Sequence, residues 1–239
     1  MDNRFSRQQA LLGEDAMARL SRSHVAVFGI GGVGSWCAEG LARSGVGRLT
    51  LIDRDTVSLT NINRQLIALE STLGLSKAEA MARRIRDINP AAEVTVLNGT
   101  YDAEHREEFF GDYDFVADCI DLVSCKLNLI CTCLERGIPI VSALGTGNKK
   151  DPTLLRVSDI SKTENDALAR VVRKELRTRG VNHTTVVWSP ELPLEAEQTE
   201  APDPGRRSVP GSLVWVPASA GLLMCGHIVT KLSEETARP

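Results

Sequence analysis

The residues with the clearest chemical potential lie between Val25 and Asp121. Gly29-Ile30-Gly31-Gly32-Val33-Gly34 follows the apolar run Val25-Ala26-Val27-Phe28 and precedes a helical pattern. In that context Gly29 and Gly31 permit a tight turn and close backbone approach to a phosphate, and Gly34 lets the helix pack on the strand. Gly32 belongs to the same turn. The helix N-terminus adds free N–H groups and the positive end of its dipole. Asp53, 19 positions after Gly34 and at the end of a second apolar run, is placed to accept hydrogen bonds from a ribose. These features describe a nucleotide site and do not separate NAD from ATP.

The polar string that follows does separate them. Asp53-Arg54-Asp55-Thr56-Val57-Ser58-Leu59-Thr60-Asn61-Ile62-Asn63-Arg64-Gln65 sets hydrogen-bonding side chains just past the ribose position, where a dehydrogenase has no use for them. Arg64 and Lys77 can neutralise a triphosphate, whereas NAD carries only a diphosphate. Asp121 follows a fourth apolar run, at the carboxyl end where ligands of such sheets bind. A carboxylate there can hold Mg²⁺ bridging phosphate oxygens, or it can serve as an N-terminal residue of the helix starting near Ser124.

Positioning these groups requires an alternating scaffold. Residues 25–28, 48–52, 93–97, 115–120 and 138–142 read as strands, with helical patterns between them. Ser76 and Glu79 form a Ser-x-x-Glu capping box, Asn89-Pro90 stops that helix, and Gly137 closes a helix over 124–136. The expected fold class is α/β, a Rossmann-like, doubly wound and mostly parallel sheet with helices on both faces. Residues 1–145 would form the nucleotide-binding domain and 146–239 a smaller C-terminal extension completing it. In the extension, 154–157 and 184–188 read as strands and 166–179 as a helix. Residues 191–207 form a Pro-, Glu- and Gly-rich stretch expected to be a mobile loop, 213–216 read as a strand, and 218–232 as an apolar helix.

Composition narrows the function classes. A chain of 239 residues can bury one substantial core. It has no apolar run long enough for a membrane span and no signal-peptide core after Met1, so a soluble, cytoplasmic protein is expected. The six cysteines fall mostly in apolar segments and none forms a C-x-x-C pair, which suits reduced, buried thiols and removes the usual structural zinc spacing. Cys131, Cys133 and Cys225 read as buried and inert. The four histidines lack ligand spacing, and Trp188 and Trp215 read as packing residues. A net charge of −3 argues against non-specific coating of nucleic acid. A local basic face remains, since Arg170, Arg173, Lys174 and Arg177 share one side of a helix, and its plain reading is a solvated surface.

Arg4-Phe5-Ser6-Arg7-Gln8, Gly29–Gly34, Asp53–Asp55, Asn61–Gln65, Leu73-Gly74-Leu75-Ser76-Lys77 and Asp118–Asp121 together resemble the ATP-dependent adenylating family of the ubiquitin-activating enzymes and their bacterial relatives. The resemblance spans residues 4–145. It implies a carboxylate activated as an acyl-adenylate with loss of pyrophosphate. By the same resemblance Asp53 lies at the ribose, Asn61, Arg64 and Lys77 around the phosphates, and Asp121 on Mg²⁺, with Asp55 and Asn63 also among the nucleotide-binding residues. It also implies a homodimer, formed through an N-terminal helix, in which Arg7 reaches the ATP of the neighbouring subunit.

Within that family the chain lacks the two C-x-x-C pairs common among activators of sulfur-carrier proteins. It is more similar to the branch that cyclises a threonylcarbamoyl-modified adenosine beside the tRNA anticodon, through Gly29–Trp36, Asn63–Gln65, Gly74–Glu79 and Asp151-Pro152-Thr153. There the ureido group on the same nucleoside attacks the activated carbonyl, and a tethered nucleophile needs no enzyme thiol. Val209-Pro210-Gly211-Ser212 stands where some members carry a cysteine. The tRNA contacts expected are Lys149, Lys150 and the helix with Arg170, Arg173, Lys174 and Arg177. A monovalent cation and a sulfur-relay protein are further expected associates. Adenylation of a small sulfur-carrier protein, and a NAD-dependent oxidoreductase or nucleotide-sensing module, are the alternative readings.

Overall fold

Short apolar strands linked by amphipathic helices bury their faces by winding into one sheet with a helical layer on each side. The computed structural model describes residues 3–197 and 209–234. Its strands are β1 (His24–Phe28), β2 (Arg48–Asp53), β3 (Glu93–Asn98), β4 (Phe115–Asp118), β5 (Ile140–Ala143), β6 (Arg156–Asp159) and β7 (Thr185–Trp188). The helices are α1 (Ser6–Leu12), α2 (Glu14–Arg22), α3 (Gly34–Arg43), α4 (Lys77–Ile88), α5 (Val123–Glu135), α6 (Ala167–Thr178) and α7 (Trp215–Ser233). Strand order is β3-β2-β1-β4-β5-β7-β6, parallel except for β6, which runs antiparallel to β7. The order reverses between β1 and β4, and in such sheets ligands bind in the crevice outside the carboxyl ends at that point.

The alternation of β1 sorts two cores. Val25 and Val27 pack with α3, α4 and α7 on one face, while Ala26 and Phe28 pack with α5 and α6 on the other. Strands β6 and β7 extend the same sheet, and α7 returns across it to pack on α3. Glu39 of α3, buried, accepts from Arg84 of α4 through both carboxylate oxygens at 2.7 and 2.9 Å. That clamp aligns the two helices whose N-termini carry the glycine turn and Lys77. No helix among the described residues is long and apolar enough to cross a membrane.

Several boundaries differ from the sequence reading. The expected strand 115–120 stops at Asp118, the strand expected from 138 begins at Ile140, and that expected at 154–157 lies at Arg156–Asp159, after a 3-10 turn over Pro152–Leu154. The run 213–216 is not a strand, because Trp215 and Val216 open α7. A continuous apolar run has no period to separate strand from buried helix, and Pro217 fits the first helical turn, where its missing N–H costs nothing. Of the capping box at α4, the Ser76 half is present, Ser76 Oγ accepting from Glu79 N–H. Ser76 Oγ also donates to Asn98 Oδ1 at 2.6 Å, joining α4 to the end of β3. Residues 191–197 carry no regular structure, and the remainder of the expected loop, 198–207, lies outside the described residues.

One buried ion pair fixes the turn after β4. Lys126 Nζ of α5 lies 2.7 Å from Asp118 Oδ2, and both side chains are 0% exposed. Asp118 Oδ1 accepts from Ile120 N–H, shaping the backbone that presents Asp121. Lys126→Met would strand the Asp118 carboxylate without its cation, which costs about 3–5 kcal/mol when one partner of a buried pair is removed. Replacing both, as Asp118→Asn with Lys126→Met, is expected to recover most of that loss. Urea unfolding of the two variants beside the native protein checks this, and a single-variant cost below about 1 kcal/mol, the range of exposed pairs, would contradict the assignment.

Candidate nucleotide-binding site

Gly29 and Gly34 hold the turn after β1 by proximity. A side chain at Gly34 would stand 1.8 Å from the Gly29 carbonyl oxygen, and one at Gly29 (φ 89°) would stand 2.8 Å from the Cys119 carbonyl oxygen. Gly31 has ordinary space around it, its nearest neighbour being Gln65 Nε2 at 3.9 Å from a built Cβ, and Gly32 faces Pro217. Steric need within the chain therefore falls on Gly29 and Gly34, while Gly31 leaves the mouth of the turn open. Ser35 stitches the turn to the polar loop, donating from Oγ to Gly31 O at 2.6 Å and accepting from Leu66 N–H at 3.2 Å.

Asp53 ends β2 beside this turn. Its Oδ2 accepts from Ile30 N–H at 2.5 Å and its Oδ1 from Asp55 N–H at 2.8 Å. Burial pushes the carboxyl above its ordinary value, while the two backbone N–H groups and Lys77 pull the other way. Each oxygen retains a second lone-pair direction for a ribose hydroxyl. The chain then pairs with itself, Val57 N–H to Leu75 O, Gly74 N–H to Val57 O and Lys77 N–H to Asp55 O, which brings residues 74–77 alongside 55–57. Lys77, buried at the start of α4, reaches Asp55 Oδ2 at 2.9 Å. Burial opposes ionisation of Asp55, but Lys77 and Arg54 outweigh it and hold the carboxyl below its usual value.

Arg64 stands in the same loop, half-buried. One of its terminal nitrogens, Nη1, donates to Thr60 O at 2.7 Å and to Asn63 Oδ1 at 2.9 Å. Its other N–H groups have no partner among the described residues. Asn61 is buried and shapes the loop, its Oδ1 accepting from Ser58 N–H, and Asn63 donates to Ser212 O at 3.0 Å. Asp121 lies exposed in the turn between β4 and α5. Among the described residues no cluster of three or more metal-ligating side chains occurs. An exposed carboxylate at that place fits Mg²⁺ arriving with a polyphosphate, since that ion takes one or two carboxylates and fills its shell with phosphate oxygens and water.

The structure thus brings together Gly29, Gly31, Gly32, Gly34, Asp53, Asp55, Asn61, Asn63, Arg64 and Lys77, with Asp121 at the carboxyl end of the neighbouring strand. Arg7 is elsewhere. It lies exposed on α1, which buries no residue of its own and is tied down by Gln8 to Ser44 O and by Arg4 to Ile88 O. Those anchors cap the far ends of α3 and α4, about 15–18 Å along the helices from the glycine turn and Lys77.

The expected nucleic-acid face needs correction at two positions. Lys149 is 4% exposed and donates to Ser189 O and Glu191 O, with Asp166 at 4.0 Å, so it is a buried structural cation and not a surface contact. A lysine beside another lysine in a polar loop carries no sequence mark of burial. Arg173 is half-buried and spends its guanidinium on Thr163 O and Oγ1. Lys150, Arg170, Lys174 and Arg177 remain exposed. Trp188 packs inside, its indole N–H on Ser158 Oγ, but Trp215 is half-exposed and donates to Lys150 O at 2.7 Å. Burial drives the thiols up, Cys133 to about 12 and Cys225 to about 11, with Cys131 also raised, so none is a ready nucleophile.

Sequence reasoning quoted Ser35 and Gln65 within motifs but gave them no role, and it missed Lys126. Gln65 is buried with Oε1 unpaired, directly behind Gly31, and its place next to Arg64 was the available signal. Lys126 left none, because it meets Asp118 only across the β4–α5 turn.

A model of the ThiF family matches residues 5–238. A tRNA threonylcarbamoyladenosine dehydratase of Bacillus subtilis is 44% identical over 246 aligned residues, covering 98% of this chain and 96% of that protein. The Escherichia coli tRNA N6-threonylcarbamoyladenosine dehydratase in complex with AMP superposes with a TM-score of 0.89 at 37% identity, covering 98% of this chain and 96% of that one. The same enzyme in complex with ATP gives 0.85 at 38% identity over 96% and 93%. With the glycine turn, the Asp53 carboxylate and the Arg64 and Lys77 cations in one crevice of a matching fold, this chain belongs to the ThiF family.

Proposed function

We propose that this protein is an ATP-dependent dehydratase that cyclises threonylcarbamoyladenosine in tRNA. The observation that carries the reading is the match to the dehydratases along 98% of the chain, joined to a site whose cations suit a triphosphate. In the first step a threonyl carboxylate oxygen attacks the α-phosphorus of ATP, and the bond from that phosphorus to pyrophosphate breaks. Backbone N–H groups of the glycine turn hold the phosphates, and Arg64 and Lys77 balance charge that gathers on the departing pyrophosphate. Asp53 holds the ribose. Asp121 would hold Mg²⁺, which when bound neutralises phosphate charge.

In the second step the ureido group of the same nucleoside attacks the acyl carbon and expels AMP, leaving a ring one water lighter. Tethering supplies the effective molarity, and the raised thiol pKa values support a route without an enzyme thioester. Lys150, Arg170, Lys174 and Arg177 form the basic surface for tRNA backbone. The N-terminal end of α6 abuts Gly145 at the carboxyl end of β5, on the side of the sheet where the nucleotide sits. Six unpaired thiols suit the reducing cytoplasm.

The protein acts as a homodimer with Arg7 donated between subunits. Support comes from α1, which has no fully buried residue within its own chain and leaves Leu11 87% exposed, and from Leu222 and Leu223 exposed on α7.

Three outcomes test these statements. Incubated with ATP and Mg²⁺, the protein should lower the mass of threonylcarbamoyl-modified tRNA by one water; unchanged tRNA, with pyrophosphate exchange that needs a small carrier protein instead, would replace the reading. Arg64→Ala and Lys77→Ala should each lower AMP release by at least about a hundredfold, as loss of a transition-state charge contact does, and native rates in either would remove the site assignment. Mixing inactive Arg7→Ala with inactive Lys77→Ala should restore roughly a quarter of native activity, since random pairing in a two-fold dimer leaves one intact site in half of the dimers. No recovery despite demonstrated subunit exchange would argue against donation in trans.

A further inference from the structure

Asn148 occupies an unusual place outside the nucleotide loop. It follows β5 with φ 58°, the left-handed region that Asn tolerates better than most residues. Three hydrogen bonds converge on it. Its N–H donates to Gly211 O at 2.7 Å, its Oδ1 accepts from Gly211 N–H at 2.7 Å, and its carbonyl accepts from Leu194 N–H at 2.7 Å. One residue therefore grips both arms of the excursion between β7 and α7. Packing supports the grip, since a side chain at Gly147 would stand 2.8 Å from Pro210 Cβ.

The chain of bonds does not stop at Gly211. Its neighbour Ser212 accepts from Asn63 Nδ2 at 3.0 Å, and the other end of that same amide, Oδ1, accepts from Arg64 Nη1 at 2.9 Å. An amide held at both ends has its plane fixed, so the direction of the Oδ1 lone pairs, and with it the rotamer of the Arg64 guanidinium, depends on where Ser212 is held. Asn63 and Ser212 are 149 residues apart in sequence, and Asn148 ties the residue before Ser212 to the segment after β5 through two hydrogen bonds.

We propose that Asn148 is a positioning residue for ATP binding, acting through Gly211–Ser212 and Asn63 to orient Arg64. It touches no nucleotide itself. The inference rests on the reading of Arg64 as a triphosphate ligand. It makes the C-terminal extension part of the nucleotide site through a backbone carbonyl, not through a charged side chain.

Asn148→Gly keeps the left-handed backbone and removes the Oδ1 that accepts from Gly211 N–H; Asn148→Asp keeps that acceptor. Measured by calorimetry on the full-length protein, Asn148→Gly should weaken ATP binding by roughly two- to tenfold, the worth of one hydrogen bond, and Asn148→Asp should lie closer to native. In an Arg64→Ala background the Asn148→Gly effect should vanish, because the two residues act on one contact. An equal loss in both backgrounds, or no loss in either, overturns the proposal. If Arg64→Ala alone leaves ATP affinity intact, the site reading fails, and this inference with it. A measurement on the unaltered protein guards against misfolding of the variants: ATP should slow hydrogen exchange at the Gly211 amide, because coupling between two sites is reciprocal. Exchange there unchanged by saturating ATP overturns the proposal without recourse to substitution.

Discussion

The Asp53 carboxylate is the point on which the site depends. Two backbone segments leave the sheet side by side, the glycine turn after β1 and the polar loop after β2, and Asp53 accepts one N–H from each. At the mouth of the sheet it is the side chain that joins the start of the turn to the start of the loop, where the ladder between β1 and β2 ends at Phe28 and Ile52. The Asp55–Lys77 pair follows it at the start of the loop, and the stem of Arg64 passes beside Gly32 of the turn. The cost is burial of a carboxylate, visible in its raised pKa, and two backbone N–H groups and a nearby lysine offset that cost.

Around that reference the fold supplies rigidity from several directions. Glu39 and Arg84 lock α3 to α4, so that the glycine turn and Lys77 keep a fixed separation. Ser35 ties the turn to the loop that carries Arg64, and the fully buried Lys126–Asp118 pair shapes the backbone leading to Asp121. Asn63 extends the network to Ser212 and so to the C-terminal extension. Groups meant to meet a developing negative charge are most effective when their orientation is set before the reaction begins. These contacts set it.

Much of this was legible in the sequence because the relevant signals are local. Gly34 is demanded by the Gly29 carbonyl five residues before it, and Ser76 caps α4 as its spacing with Glu79 suggests. The crevice follows from strand order, which the β–α alternation implies. What escaped reading depends on distant partners. Lys149 looks like any exposed lysine until Ser189 and Glu191, 40 and 42 residues away, surround its ammonium. Trp215 sits in a run whose apolar continuity erased the distinction between strand and helix, and Lys126 is marked only by an aspartate on another element. Arg7 illustrates the opposite case, a residue expected at the site from motif alone that its own chain leaves far from the crevice.

The central claim is that a carboxylate of the tRNA nucleoside attacks the α-phosphorus of ATP in the crevice of Arg64 and Lys77. Oxygen tracing tests it most directly, because the attacking oxygen is carried away when the ring closes. With modified tRNA whose threonyl carboxylate bears ¹⁸O, the account predicts that the AMP released carries one ¹⁸O atom on its phosphate. Unlabelled AMP, with the heavy oxygen recovered in water or in pyrophosphate, would contradict it.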